Sequence, residues 1–165
     1  GREVSIPDNF NFQLATLSTK KTVNEWGKLG VTNANGEVLP VSNMSGSVLL
    51  PMGYLGPAFL VYDNFSVILN WNRSILYALS VGYLSDRLIN MEKLIAKPIA
   101  EPPMSRENIT YIQLTLNEMG FDAGKPDGMS GPKTRSATRQ YQIINDIPAD
   151  GYVGQTLLQQ LTPVD

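Results

Sequence analysis

Three prolines, Pro98, Pro102 and Pro103, fall in the segment 96–104 and decide how this chain divides. Each removes a backbone N–H and biases the residue before it toward extended structure, so neither a helix nor a central strand continues through the segment. We read residues 98–104 as a Pro-rich spacer between a piece at 1–97 and a smaller piece at 105–165. The 165 residues suffice for two small domains. The shorter one folds alone only if its core is compact.

Composition removes whole classes of chemistry. The chain has no Cys, which excludes a disulfide framework, a thiolate nucleophile and a thiolate-held metal. It has no His, which excludes a Ser-His-Asp triad and imidazole-ligated zinc. No cofactor is implied, and chemistry is left to carboxylates, hydroxyls, amides and Lys. Thirteen Lys plus Arg against fifteen Asp plus Glu give a net charge of −2, so the basic excess of a nucleic-acid binder is missing.

Between Glu37 and Asp63 lie 25 residues without a charge, long enough to span a bilayer. Pro40, Pro51 and Pro57 with Gly46, Gly53 and Gly56 interrupt helical hydrogen bonding throughout, so no transmembrane segment is expected. The opening Gly1-Arg2-Glu3-Val4 has no apolar stretch behind a basic start and is not a signal peptide. Starting in mid-pattern, it suggests a fragment.

Within 1–97, Thr22 and Glu25 fit a capping box ahead of a short helix at 21–29, with Gly27 or Gly30 as its stop. Asn35-Gly36 reads as a tight turn. The runs Ser47–Leu50, Ala58–Tyr62 and Phe65–Leu69, separated by Pro and Gly punctuation, predict a small antiparallel sheet. Leu76, Leu79, Tyr83, Leu84, Leu88, Met91 and Leu94 then form an apolar stripe at helical spacing, predicting one long helix over 73–94.

The second piece contains a repeat. Asp127-Gly128-Met129-Ser130-Gly131 and Asp150-Gly151-Tyr152-Val153-Gly154 share the pattern D-G-x-x-G, and each marks a turn entering a helix. Pro132 sits where a first helical residue is expected. Helical spacing of Ile109, Ile112, Leu116 and Met119, then of Thr134, Ala137, Tyr141 and Ile144, and a short run at Leu157–Leu161 predict a three-helix bundle. The fold class is therefore α+β. Asp127, Gly128, Asp150 and Gly151 read as turn formers rather than ligand contacts.

Two apparent sites dissolve on inspection. Gly128–Thr134 resembles a phosphate loop, but Pro132 breaks the required Gly-Lys pair and lacks an N–H for phosphate. The stretch Asp122–Asp127 has Gly124 and Pro126 where a calcium loop needs side-chain oxygens. A third survives. Trp71-Asn72-Arg73-Ser74-Ile75-Leu76-Tyr77 brings amide and aromatic groups to the mouth of the long helix, a combination suited to pyranose hydroxyls and C–H faces. On composition and spacing alone the commoner reading of the same residues is a cap, through Asn72 or Ser74, and packing, through Trp71 and Tyr77.

At these residues the first piece resembles the C-terminal part of the lytic murein transglycosylase B family. The matching blocks are Glu3-Val4 with Pro7-Asp8-x-Phe10, Ser18-Thr19 with Glu25-Trp26, Leu49-Leu50-Pro51, Gly56-Pro57-Ala58-Phe59-Leu60, Asn64-Phe65 and Trp71-Asn72-x-Ser74-x-x-Tyr77-Ala78. The second piece resembles the peptidoglycan-binding domain type 1, through Leu114 and Gly120, Phe121-Asp122, Asp127-Gly128, Gly131-Pro132-x-Thr134, Tyr141-Gln142 and Pro148-Ala149-Asp150-Gly151.

The resemblance implies the C-terminal part of a lysozyme-like transglycosylase unit, namely a helix, a small antiparallel sheet and a long helix, followed by a three-helix wall-binding module. It implies cleavage of the β-1,4 bond between N-acetylmuramic acid and N-acetylglucosamine, with the sugar's own 6-hydroxyl attacking to give a 1,6-anhydro end. One glutamic acid does the proton transfers in that family, and it lies upstream of the equivalent of Gly1, so this chain is expected to carry no catalytic residue and no metal. Asn72 and Tyr77 match residues lining the saccharide cleft, and Trp71 replaces a common Tyr, keeping an aromatic face while losing a hydroxyl. The implied partners are peptidoglycan glycan strands and the missing N-terminal part of the same enzyme, and the implied location is the periplasm or cell envelope. A stand-alone, non-catalytic peptidoglycan-binding protein is the alternative.

Overall fold

Thr22 and Glu25 start the first helix as a reciprocal pair: Thr22 Oγ1 accepts the Glu25 N–H at 3.2 Å, and Glu25 Oε2 accepts the Thr22 N–H at 2.7 Å. The structure, a computed structural model, describes residues 1–90, 93–97 and 100–162. The chain forms two units, one of Gly1–Pro51 with Gly56–Pro98, the other of Met52–Leu55 with Ile99–Asp165. The four-residue loop Met52–Leu55 thus belongs to the second unit.

In the first unit, helix α1 (Val23–Lys28) accompanies strands β1 (Arg2–Ser5), β2 (Lys21–Thr22), β3 (Thr32–Asn33), β4 (Ser45–Leu49) and β5 (Ala58–Tyr62). They form one antiparallel sheet in the order β2-β4-β5-β1-β3, with Val48 opposite Leu60 and Val4 opposite Ala58. The central strands are buried on both faces. Val4, Val48, Ala58 and Leu60 meet Val23, Trp26, Val31 and Phe10 on one side, while Leu49, Phe59 and Val61 meet Phe65 and Ala78 on the other. Alternation along the strands sends neighbouring residues to opposite cores. Trp26 is fully buried, and its indole N–H donates to Gly46 O at 3.0 Å, so the largest side chain of that core leaves no polar atom unpaired.

Two expectations are corrected here. Phe65–Leu69 is not a strand but the middle of helix α2 (Asp63–Trp71), which inserts Phe65, with Ile68 and Leu69, against the sheet. These positions are i, i+3 and i+4, a helical face too short to separate from a strand by period. The expected long helix over 73–94 is shorter: α3 runs Ile75–Leu88 and ends where Asn90 takes φ +58°. Asn tolerates that left-handed conformation better than most residues. The stripe is also less buried than its spacing suggests. Ala78 and Leu79 pack, Leu76, Leu84 and Leu88 are exposed, and Met91 lies outside the described residues.

In the second unit, α4 (Arg106–Glu118), α5 (Pro132–Ile144) and α6 (Gln155–Leu161) enclose Ile112, Leu116, Ala137, Tyr141, Val153 and Leu157. Each D-G turn is clipped by a buried glutamine. Gln113 Oε1 accepts the Gly128 N–H at 3.0 Å and its Nε2 donates to Asp127 Oδ1 at 3.3 Å. Gln142 Oε1 accepts the Gly151 N–H at 2.8 Å and its Nε2 donates to Asp150 Oδ1 at 2.8 Å. The two aspartates also accept from their own turns, at Met129 N–H and Tyr152 N–H, as expected of turn formers. No helix among the described residues is long and apolar enough to cross a membrane. The α+β class holds.

Candidate functional site

The junction between α2 and α3 is built by three consecutive backbone captures. Asn72 N–H closes the end of α2 on Ile68 O at 3.1 Å, Asn72 Oδ1 accepts the Ser74 N–H at 3.0 Å, and Ser74 Oγ accepts the Tyr77 N–H at 3.2 Å. Ser74, not Asn72, therefore caps α3. Asn72 is at the C-terminal end of α2, with its oxygen committed to the turn and its amide nitrogen on an exposed side chain.

Trp71, Asn72 and Tyr77 all point to the surface. Trp71 is 88 % exposed and Tyr77 47 % exposed, an uncommon state for two aromatic side chains six positions apart on one junction. Exposed apolar residues continue along α3 through Leu76, Val81, Leu84 and Leu88. The packing role open to Trp71 within this chain is not taken.

A separate cleft of about 80 Å³ lies between the sheet and these helices, lined by Phe59 and Val61 of β5, Asn64, Phe65 and Ile68 of α2, and Ala78, Leu79 and Tyr83 of α3, among others. Trp71, Asn72 and Tyr77 do not line it. Glu3, which does, holds the segment beyond α3 by accepting the Ile95 and Ala96 N–H groups at 2.7 Å each. Sequence reasoning missed this clamp, since a lone Glu on a short strand carries no motif.

The carboxyls that depart from their ordinary pKa do so downward. Glu25 is lowered by the Thr22 backbone N–H and hydroxyl, Asp122 by the Lys133 ammonium at 2.8 Å, and Asp127 by the Met129 N–H and the Gln113 amide. A general acid needs the opposite displacement, produced by burial or a neighbouring anion. Among the described residues no three acidic side chains converge into a metal-binding group.

Residues 1–86 match the family described as "Transglycosylase SLT domain", and residues 105–161 match "Putative peptidoglycan binding domain". The fold is similar to SltB3 from Pseudomonas aeruginosa, solved in complex with NAG-anhNAM-pentapeptide, at TM-score 0.90 and 40 % identity over 97 % of this chain. A second SltB3 structure, in complex with NAG-NAM-pentapeptide, matches at TM-score 0.90 and 41 % identity over 98 %. In both cases the chain spans 44 % of the SltB3 chain. With more than half its length matched to one domain model and its fold shared with SltB3, this chain belongs to the transglycosylase SLT domain family.

Proposed function

We propose that the chain is part of a lytic murein transglycosylase, supplying a cleft wall and a wall-binding module while the catalytic acid comes from polypeptide outside these 165 residues. The observation that carries this reading is the order of the two matched domains on one chain, a transglycosylase domain ahead of a peptidoglycan-binding domain. SltB3 was solved with a sugar–peptide whose muramic acid is in the anhydro form, which supports a 1,6-anhydro product here. In that reaction the muramoyl O6 attacks C1, the bond from C1 to the leaving O4 breaks, and one acid protonates O4 before its carboxylate takes the O6 proton.

In this reading residues 1–97 form the cleft wall, 98–104 the spacer and 105–165 the module that holds murein. Asn72 donates its amide N–H to the muramoyl sugar, Tyr77 shapes the cleft opposite the acid, and Trp71 offers a ring face to pyranose C–H groups. The exposed row Leu76, Leu84 and Leu88 supports a covering N-terminal part of the same enzyme, since apolar surface of this extent is costly in water. A murein substrate supports a location in the periplasm or cell envelope.

Incubating the chain with purified sacculi tests the reading. Retention on the sacculi without release of anhydromuropeptides is expected from the chain alone. Release by this chain alone would show that it holds its own acid. Retention that persists when no upstream polypeptide restores cleavage would instead favour the stand-alone binding protein.

A further inference from the structure

Beside the second D-G turn, the second unit carries a cavity of about 110 Å³ whose lining lies wholly within that unit. Met52, Leu55, Ile147 and Leu157 give it hydrocarbon walls, and Glu101 and Gln160 give it a polar edge. A 150 Å³ apolar cavity takes one benzene ring, so this one takes a side chain rather than a substituted sugar.

Its two carboxylates are in different states. Asp150 is buried and committed: Oδ1 accepts from Gln142 and from the Tyr152 N–H, Oδ2 accepts from the Tyr54 N–H at 2.8 Å, and its charge partly offsets the burial that holds the Arg135 and Arg139 guanidiniums below their ordinary pKa. Glu101 is only partly exposed, yet among the described residues no hydrogen bond or ion pair reaches its carboxylate. Its Oε2 lies 3.1 Å from where a Cβ on Gly154 would stand, a position that the Tyr152 ring also crowds. The Tyr152 phenol is held above its ordinary pKa, first by burial and then by Glu101. A partly exposed carboxylate at the edge of an apolar cavity, with no hydrogen-bond partner among the described residues, is free to accept from a cation that enters the cavity.

We propose that this cavity is a subsite for an aliphatic primary ammonium borne on a peptide, with methylenes against Met52, Leu55, Ile147 and Leu157 and the NH₃⁺ donating to Glu101. The inference rests on the murein reading above, and within murein it selects the peptide. The acetamido groups of the glycan carry no charge, whereas a diamino-acid side chain of a peptide stem supplies both the methylenes and the ammonium.

The test is retention of the full chain on sacculi before and after acetylation of their free amines, with Glu101→Gln as the variant. Acetylation should weaken wild-type retention about fivefold and leave E101Q, already weakened to the same degree, unaffected. A urea midpoint for E101Q equal to the wild type's establishes that the fold is intact. Equal retention of both proteins on both kinds of sacculi would overturn the ammonium subsite and leave the murein reading standing. Absence of retention on any sacculi would overturn both.

Discussion

The Gln142 amide meets the Asp150 carboxylate at 2.8 Å inside the second unit, and its other end accepts the Gly151 N–H at the same distance. Gln113 holds Asp127 and Gly128 in the same way, so one side chain locks each turn that launches the next helix. Gln142→Ala leaves the Gly151 N–H unpaired and takes one donor from a buried carboxylate. Urea denaturation should show a loss of about 1–3 kcal/mol, with a similar loss for Gln113→Ala. The exposed Gln159→Ala should change stability by less than about 0.5 kcal/mol. Parity among the three would mean the clips do not support the unit.

At the α2–α3 junction the two polar side chains should separate by assay. Ser74 Oγ caps α3, so Ser74→Ala should cost about 1 kcal/mol in a thermal melt. Asn72 makes one exposed bond to the Ser74 N–H, and Asn72→Ala should cost less than half of that. In a longer protein that cleaves murein, Asn72→Ala should lower the cleavage rate more than Ser74→Ala does. The reverse order would remove Asn72 from the sugar.

What the sequence disclosed depended on how local the chemistry is. The Thr22–Glu25 box and the D-G turns are made within a few residues, and both are legible without any tertiary knowledge. Helix α2 was not, because Phe65–Leu69 is a short apolar run whose helical state depends on what it packs against. The glutamine clips were missed: Gln113 was not singled out and Gln142 entered only with Tyr141 as part of the resemblance, although Arg106 and Gln113 share their spacing with Arg135 and Gln142. Exposure of Trp71 and the α3 stripe could not be read either, since periodicity shows a face and not what covers it.

Acid should weaken the fold in a defined window. Glu25, Asp122 and Asp127 have folded pKa values below their unfolded ones, so their stabilisation is complete above the unfolded range near pH 4 and disappears as pH falls through the folded values. Urea midpoints should stay level from pH 7 to about pH 5 and then decline. Asp127→Asn keeps an oxygen for the Met129 N–H but cannot be protonated, so its decline should be shallower than the wild type's.

Two glycines at positive φ should respond differently to a side chain. Gly36, at φ +85°, has open space around its absent Cβ, so Gly36→Ala should cost about 1 kcal/mol from backbone strain, and Gly36→Asn, which tolerates that region, should recover most of it. Gly151, at φ +70°, has the Arg135 carbonyl oxygen 2.8 Å from where Cβ would stand, with the Arg139 side chain equally near. A backbone atom of α5 cannot move without disturbing the helix that presents Gln142. Gly151→Ala should therefore cost more than about 2 kcal/mol, and Gly151→Asn should recover little, because any Cβ meets the same oxygen. Urea denaturation of the four variants separates strain from collision: rescue by Asn at both sites would show that the turn at Gly151 yields, and that helix α5 does not fix it.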